Sequence, residues 1–115
     1  MTVEIWHNPR CGNSRAALAL IREAGIEPLI VEYLAEPPTR ERLRQAIADA
    51  GLTVREAIRS KEPEYTALGL DAPDVDDDAL LHAMVATPVL INRPFVFSPK
   101  GVRLCRPPEL VLPLF

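Results

Sequence analysis

The amino-acid sequence predicts an α/β fold in which helices cover one mixed four-stranded sheet. The first third of the chain has an apolar run (Val3–Trp6), a helical pattern ending at Gly25, and a second apolar run (Leu29–Tyr33). This spacing is typical of a βαβ unit with parallel strands. Two later strand patterns, Phe95–Ser98 and Val102–Cys105, flank a Pro-Lys-Gly turn and predict an antiparallel hairpin. With helical patterns between them, the order is βαβ, helical insert and ββα, which is a thioredoxin-like fold.

Cap residues set the expected ends of the first two helices. The first helix should begin at Asn13 or Ser14, because either side chain can accept hydrogen bonds from the free N–H groups of a first turn. It should end before Gly25, which can adopt a left-handed C-terminal conformation. In the same way Thr39 should cap a second helix that Gly51 ends.

The helical insert continues with a capping box. Thr53 and Glu56 have the spacing of that motif, which should open a helix containing Arg59. The remaining predicted elements are a helical turn at Tyr65–Leu68, a helix within residues 74–86 that opens with aspartates, a strand at residues 89–92 and a short last helix from Pro108.

Composition bounds the class of protein. At 115 residues the chain can bury one core, so a single domain over residues 1–115 is expected. The net charge of −3 argues against a nucleic-acid partner. No signal peptide is expected, and no apolar run approaches the ~20 residues that would imply a membrane partner. Two cysteines are too few for a disulfide framework or a structural zinc site, which favours a reducing cytoplasm.

One cysteine lies in a polar loop. Residues 7–15, HNPRCGNSR, place Cys11 between a strand pattern and a helix, with Arg10 and Arg15 close by. Open α/β sheets bind ligands at this position, and the free N–H groups of a helix N-terminus favour anions. A thiolate is such an anion, so the pKa of Cys11 is expected to lie below the ~8.5 of a free thiol.

Two familiar kinds of thiolate chemistry do not fit this loop. A dithiol oxidoreductase would have its second cysteine at position 14, where the chain has Ser14. A tyrosine-phosphatase loop would have arginine six residues after the cysteine, where the chain has Ala17. The site is therefore CxxS, and it is predicted to work with one thiol.

Three arginines are candidate ligands for an oxyanion. Arg59 lies in the helical insert, Arg93 precedes Pro94, and Arg106 follows the last strand pattern. Planar guanidinium groups suit tetrahedral oxyanions because they donate forked hydrogen bonds. Sequence spacing leaves open whether the three converge on the cysteine, and each is also a candidate surface charge.

Four motifs together resemble the glutathione/glutaredoxin-dependent arsenate reductase family. They are HNPRCGNSR at 7–15, LGL at 68–70, LINRP at 90–94 and RLCRPPE at 103–109. The motifs occur in the same order as in that family and cover most of the chain. The resemblance implies the thioredoxin-like fold already predicted from the pattern of elements.

The same resemblance implies roles for individual residues. Cys11 would be the nucleophile, with His7 and Ser14 as catalytic partners: His7 tunes the cysteine, and Ser14 marks the monothiol site. Pro94 would follow a cis peptide bond. The substrate-binding residues would be Arg59, Arg93 and Arg106.

The resemblance also implies a reaction and its partners. Arsenate would be attacked by the Cys11 thiolate, glutathione would be the co-substrate that reduces the adduct, and a glutaredoxin would clear the mixed disulfide. No bound cofactor and no metal are expected. Two alternatives stay open, namely a glutathione-linked thiol oxidoreductase with another substrate, and a thioredoxin-like regulatory module that binds a protein. Regulators of this superfamily that bind RNA polymerase lack the full arginine set, which favours the enzyme.

Other conspicuous residues have structural explanations. Cys105 and Trp6 are predicted to pack in the core, and His82 to be structural or exposed on a helix. The aspartates at 74–78 do not follow the EF-hand spacing, so they are expected to cap a helix.

Overall fold

Four short strands form one mixed sheet. The chain is described from residue 1 to residue 115 by a computed structural model. The strands are β1 (Glu4–Trp6), β2 (Leu29–Val31), β3 (Phe95–Ser98) and β4 (Gly101–Leu104), in the order β2-β1-β3-β4. β1 runs parallel to β2 and antiparallel to β3, and β3 pairs with β4 as a hairpin. The predicted mixed four-stranded sheet is confirmed.

The chain divides into two compact units. The first consists of Met1–Glu36 and Arg93–Phe115 and contains the sheet, helix α1 (Gly12–Glu23) and a C-terminal 3-10 helix (Pro108–Leu114). The second unit, Pro37–Asn92, is helical. The single domain expected from chain length stays a prediction.

The core of the first unit lies between the sheet and two helices. Ile5 and Val96 are paired across β1 and β3, so their side chains point to the same face. That face packs against α1 and the C-terminal 3-10 helix, and it includes Cys105, which is fully buried as predicted. The buried members of this cluster are Val3, Ile5, Ala17, Leu18, Ile21, Val96, Cys105, Val111 and Leu114.

Aromatic side chains occupy the alternate positions of the central strands. Trp6 stacks in tilted geometry against Phe95 and Phe97, with ring centroids 5.5 and 4.9 Å away. Its indole nitrogen donates to a Glu4 carboxylate oxygen at 2.9 Å. Trp6 is 2% exposed, which confirms the prediction that it belongs to the core.

The start of α1 differs from the prediction. The helix begins at Gly12 and its N-cap is Cys11, so neither Asn13 nor Ser14 caps it. The Ser14 side chain is turned away from the helix end and is hydrogen-bonded elsewhere, as described below, so it does not cap the free N–H groups. At the other end Gly25 has the predicted left-handed conformation, with φ of +79°.

Caps were predicted well in the second unit. Thr39 caps the first of its helices, Thr53 and Glu56 form both hydrogen bonds of the capping box, and Asp76 caps the last. The short helix predicted at Tyr65–Leu68 is present slightly earlier. The helices are α2 (Arg40–Asp49), α3 (Val54–Ala57), α4 (Pro63–Ala67) and α5 (Asp77–Ala86).

Two predictions for this unit were wrong. Arg59 is not helical, because α3 ends at Ala57 and the chain continues extended. Residues 89–92 do not form a strand, since Pro88–Leu90 is a 3-10 helix and only Ile91 makes an isolated β-bridge, to Ile58. Ile58, Leu90 and Ile91 are buried, but the two segments share only a few backbone hydrogen bonds, such as those from the Arg59 N–H to the Leu90 carbonyl and from the Asn92 N–H to the Ala57 carbonyl, which is too little for a ladder.

Differences at two further elements are smaller. β2 stops at Val31 rather than Tyr33, because the Glu32 carbonyl accepts from the N–H groups of Ala35 and Glu36 and turns the chain. The last helix begins at Pro108 as predicted, with 3-10 geometry.

None of the helices combines the length and apolar character needed to cross a membrane.

Arg55 joins α3 to the segment between α4 and α5. Its guanidinium donates to the Tyr65 hydroxyl and to the backbone carbonyl oxygens of Leu70, Ala72 and Val75, at 2.8 to 3.2 Å. Because those carbonyls lie outside regular helices, one planar side chain satisfies acceptors that no ladder reaches.

We expect Arg55→Ala to lower the free energy of unfolding by about 2–4 kcal/mol, because it leaves partly buried carbonyls unpaired. Arg55→Lys should recover only part of this loss, since an ammonium group cannot bond all four acceptors at once. Urea denaturation of both variants, with the exposed Arg103→Gln as control, measures the effect. An Arg55→Ala variant as stable as the control would contradict it.

Candidate active site

Cys11 lies where β1 ends and α1 begins. Its backbone N–H donates to the Asn8 carbonyl oxygen at 3.0 Å, which closes a tight loop after the strand. As N-cap of α1 it places its sulfur beside the first free N–H groups of the helix. The side chain is partly exposed, so a ligand can reach the thiol.

The β3–β4 hairpin brings two of the predicted arginines to this cysteine. Phe95 is paired with Leu104, and extending that register by two residues places Arg93 opposite Arg106. One Arg106 nitrogen donates to the Arg93 carbonyl oxygen at 2.8 Å and to the Cys11 sulfur at 3.8 Å. Residues far apart in sequence thus converge at one sulfur atom.

Arg93 is itself buried, with 7% of its surface exposed. The Arg93–Pro94 peptide bond is cis, as the family resemblance implies, and Arg106–Pro107 is a second cis bond. The Pro94 carbonyl accepts from the Cys105 N–H at 2.8 Å, so the ladder of the hairpin continues toward the site. The hairpin ladder therefore fixes the backbone positions of both arginines, and the bond to the Arg93 carbonyl also fixes the Arg106 side chain.

The Cys11 thiol has a pKa below its ordinary value. Partial burial raises the pKa, but this effect is outweighed by hydrogen bonds to the thiolate from the Ser14 backbone N–H, from Arg106 and Arg93, and from the Asn13 backbone N–H. These donors favour the charged form, as predicted from the position of the loop. Cys105 behaves oppositely: burial raises the pKa of its thiol to about 12, so it stays protonated.

A buried hydrogen-bond chain links His7 to the loop through Ser14. The Ser14 hydroxyl lies 2.6 Å from His7 Nδ1 and accepts from the Asn8 backbone N–H at 3.0 Å. All three residues are buried, at 8%, 0% and 3% exposure for His7, Ser14 and Asn8. This is why Ser14 cannot cap the helix: its side chain is already committed to the preceding loop.

The surroundings of His7 favour the neutral form of its imidazole. Burial lowers the pKa of its imidazole, with opposing attraction from Glu32 and repulsion from Arg22 and Arg15. The Ser14 hydroxyl has one proton and two acceptor lone pairs, so it can bond to His7 Nδ1 and accept from the Asn8 N–H at the same time. His7 is thus connected to Cys11 through Ser14, whose hydroxyl contacts His7 and whose backbone N–H donates to the thiolate.

Arg59 lies in the second unit. Its Nε donates to Glu62 at 3.0 Å, and both side chains are about one-fifth exposed, at 22% and 19%. Its predicted role in oxyanion binding stays a prediction, as do the individual roles of the other five site residues.

Sequence reasoning missed two supports of the loop. The Asn8 side-chain oxygen accepts from the Arg10 backbone N–H at 3.0 Å, and its amide nitrogen lies 3.5 Å from the buried Tyr33 hydroxyl. Arg15, noted only for its charge, donates to the Pro9 carbonyl oxygen at 2.9 Å and ties the helix to the loop. The Asn-Pro pair in HNPRCGNSR is a turn signal that could have pointed to Asn8.

Comparison with known proteins identifies the family. A model of the ArsC family matches residues 6–114, which is nearly the whole chain. The chain belongs to the ArsC family. The resemblance inferred from the loop and arginine motifs is confirmed.

Members of the ArsC family with high similarity have been described. The chain is 60% identical over 112 residues to an arsenate reductase of Rhizobium meliloti (strain 1021), covering 97% of this chain and 80% of that one. It is 49% identical to an arsenate reductase of Escherichia coli (strain K12), covering 96% and 78%. A solved arsenate reductase from Vibrio cholerae superposes with a TM-score of 0.96 at 42% identity, covering 100% and 98%. The predicted thioredoxin-like α/β fold is confirmed.

We expect ultraviolet titration of the thiolate to give a Cys11 pKa below that of a free thiol. Arg106→Gln should raise it, because the variant loses a donor to the sulfur. Arg103→Gln removes an exposed charge three residues away and should leave the pKa unchanged. Cys11→Ser gives the blank. A wild-type pKa at or above that of a free thiol would refute the activation described here.

The lowered pKa of His7 predicts that stability falls as pH decreases below 6.5. The unfolded chain binds the proton at about that pH, whereas folded His7 resists it until lower pH, so protonation favours unfolding. His7→Asn should flatten the profile of unfolding free energy between pH 7.5 and 5 relative to wild type. His82→Gln, which alters the other, exposed histidine, should retain the wild-type slope. Equal slopes in all three proteins would rule out this role.

Proposed function

We propose that this chain reduces arsenate to arsenite at Cys11, with glutathione and glutaredoxin as electron donors. The observation that carries the proposal is the Cys11 thiol with its lowered pKa beside Arg106 and Arg93. It occurs in a chain whose relatives at 47–60% identity are arsenate reductases. A thiolate and guanidinium groups at one point suit a reaction between a nucleophile and a tetrahedral oxyanion.

Arsenate binding would depend on the same donors that lower the pKa of the thiol. The free N–H groups at the start of α1 and the guanidinium groups of Arg93 and Arg106 favour an anion next to the sulfur. We propose Arg59 as a third donor, in line with the family resemblance. Phosphate and sulfate have the same tetrahedral shape, so they should compete for the site without being reduced.

In the first step the Cys11 thiolate attacks arsenic. A sulfur–arsenic bond forms, one arsenic–oxygen bond breaks, and the departing oxygen takes up protons and leaves as water. Arsenic stays As(V). Arg93 and Arg106 stabilise the charge on the remaining oxygens, because their donors are fixed before the reaction begins.

In the second step the thiolate of glutathione attacks the Cys11 sulfur. A disulfide bond forms, the sulfur–arsenic bond breaks, and its electron pair stays on arsenic, which becomes As(III) and departs as arsenite. The reductant must come from outside the chain, since position 14 holds Ser14 and the Cys105 thiol is buried with a pKa of about 12.

Glutaredoxin would regenerate the enzyme. Its thiolate attacks the glutathione sulfur of the mixed disulfide, which returns Cys11 as a thiolate and leaves glutathione bound to glutaredoxin. Because this cycle needs reduced glutathione, we propose a reducing cytoplasm as its location.

A coupled assay tests the proposal. We expect arsenate-dependent oxidation of NADPH in the presence of glutathione, glutaredoxin and glutathione reductase. Cys11→Ser should be inactive while still folded, and Cys105→Ser should stay within a few-fold of wild type. Turnover with disulfide substrates but without arsenate dependence would favour a thiol oxidoreductase of another specificity, and no turnover would favour a regulatory module.

Mass spectrometry of enzyme trapped with arsenate and glutathione, without glutaredoxin, identifies the intermediate. We expect one glutathione on Cys11 and no intramolecular disulfide. An accumulating disulfide between Cys11 and Cys105, or an inactive but folded Cys105→Ser, would contradict the monothiol cycle.

A further inference from the structure

A cavity of about 310 Å³ lies beside the Cys11 loop (residues 7–15) in the first unit. One wall is the loop itself, from His7 to Arg10, and the other is the turn after β2, including Glu32 and Leu34. The reaction steps described above make no use of it. Its volume is at the lower end of the ~300–1,000 Å³ found for small-molecule sites.

The cavity carries two charged side chains of opposite sign, and one of them, Glu32, also acts electrostatically on His7. Arg10 and Glu32 are exposed, and neither forms a side-chain hydrogen bond or ion pair. Their backbones, in contrast, are fixed: the Arg10 N–H donates to the Asn8 side chain, and the Glu32 carbonyl accepts from Ala35 and Glu36. The charges are therefore available to a ligand on a backbone that is already ordered.

The cavity also has an apolar part. Pro9 and Leu34 line the cavity, and Leu34 is 41% exposed, so its side chain is accessible to a ligand. These groups suit a ligand that has a carboxylate, an ammonium group and an uncharged middle section. Arsenate has neither an ammonium group nor an uncharged middle section, and Glu32 would repel its negative charge.

We propose that this cavity binds glutathione, with a carboxylate on Arg10 and the γ-glutamyl ammonium group on Glu32. The inference rests on the proposed function, for which it names the site of the co-substrate. Arg10 directly precedes Cys11, so their Cα atoms are about 3.8 Å apart, while an extended tripeptide spans about 10 Å. Cys11 adjoins the cavity lining through Arg10 without being part of it, so a glutathione bound at Arg10 would have to extend past that residue to bring its thiol to the Cys11 sulfur, where the second step occurs.

Steady-state kinetics in the coupled assay, with glutathione, glutaredoxin and glutathione reductase present, test the site. Arg10→Gln and Glu32→Gln should each raise the KM for glutathione about 5- to 20-fold, as expected for losing one charged hydrogen bond. The KM for arsenate should change less than about two-fold on the same reasoning, since neither residue contacts the oxyanion. Arg10→Glu should have a larger effect than Arg10→Gln. Matched controls are Arg103→Gln and Glu23→Gln, which remove exposed charges outside the cavity.

Direct binding separates this inference from the arsenate chemistry. S-methylglutathione cannot form a disulfide, so its binding to the Cys11→Ser protein can be followed by amide chemical shifts. We expect saturable shifts at Arg10 and at residues 32–35, lost in the Glu32→Gln background. S-methylcysteine and matched salt should not reproduce them.

The outcomes are distinct. If wild type lacks arsenate turnover but S-methylglutathione still shifts the cavity residues, the proposed function fails and the glutathione site stands. If turnover is present but the variants leave the KM for glutathione unchanged, or the shifts map elsewhere, the inference is wrong. A change confined to the KM for glutaredoxin would also overturn it, and would assign the cavity to a protein partner.

Discussion

The geometry of the Cys11 site depends on stabilising negative charge on one partly buried atom, the Cys11 sulfur. Burial by itself opposes the thiolate, so the fold must supply donors from several directions. Two donors are backbone N–H groups at the start of α1, and two are the guanidinium groups of Arg93 and Arg106, which lie at the ends of the β3–β4 hairpin. No local segment could provide this set, because the first turn of a helix and the ends of a hairpin meet only after the sheet has formed.

Ser14 is the point at which the local part of that system is joined. Its hydroxyl bonds to His7 and to the Asn8 backbone, while its own N–H donates to Cys11. A cysteine at this position would give a dithiol site but would replace a strong, short hydrogen bond by the weaker ones that sulfur forms. The CxxS sequence therefore reflects a geometric requirement of the loop as well as a choice of redox chemistry.

The hairpin explains why two arginines distant from the cysteine reach it together. Paired residues in β3 and β4 fix the register, and the same register continued to the strand ends sets Arg93 against Arg106. β3 in turn pairs with β1, whose last residue, Trp6, is opposite Phe95. The end of β1 and the start of β3 therefore lie side by side, so the Cys11 loop and the two arginines lie at the same end of the strands.

The sequence by itself determined the local elements: helix caps at Thr39, Thr53 and Gly25, the hairpin, and the Cys11 loop whose motif identified the family. These depend on hydrogen bonds and conformations within a few residues, which local sequence encodes. The tertiary structure decided that the Ser14 side chain bonds to His7 rather than to the helix end, since that competing partner lies seven residues earlier. It also decided that residues 89–92 remain outside the sheet, because an apolar run specifies burial without specifying a strand partner. The meeting of Arg106 with Cys11, 95 positions apart, follows only from strand order and register.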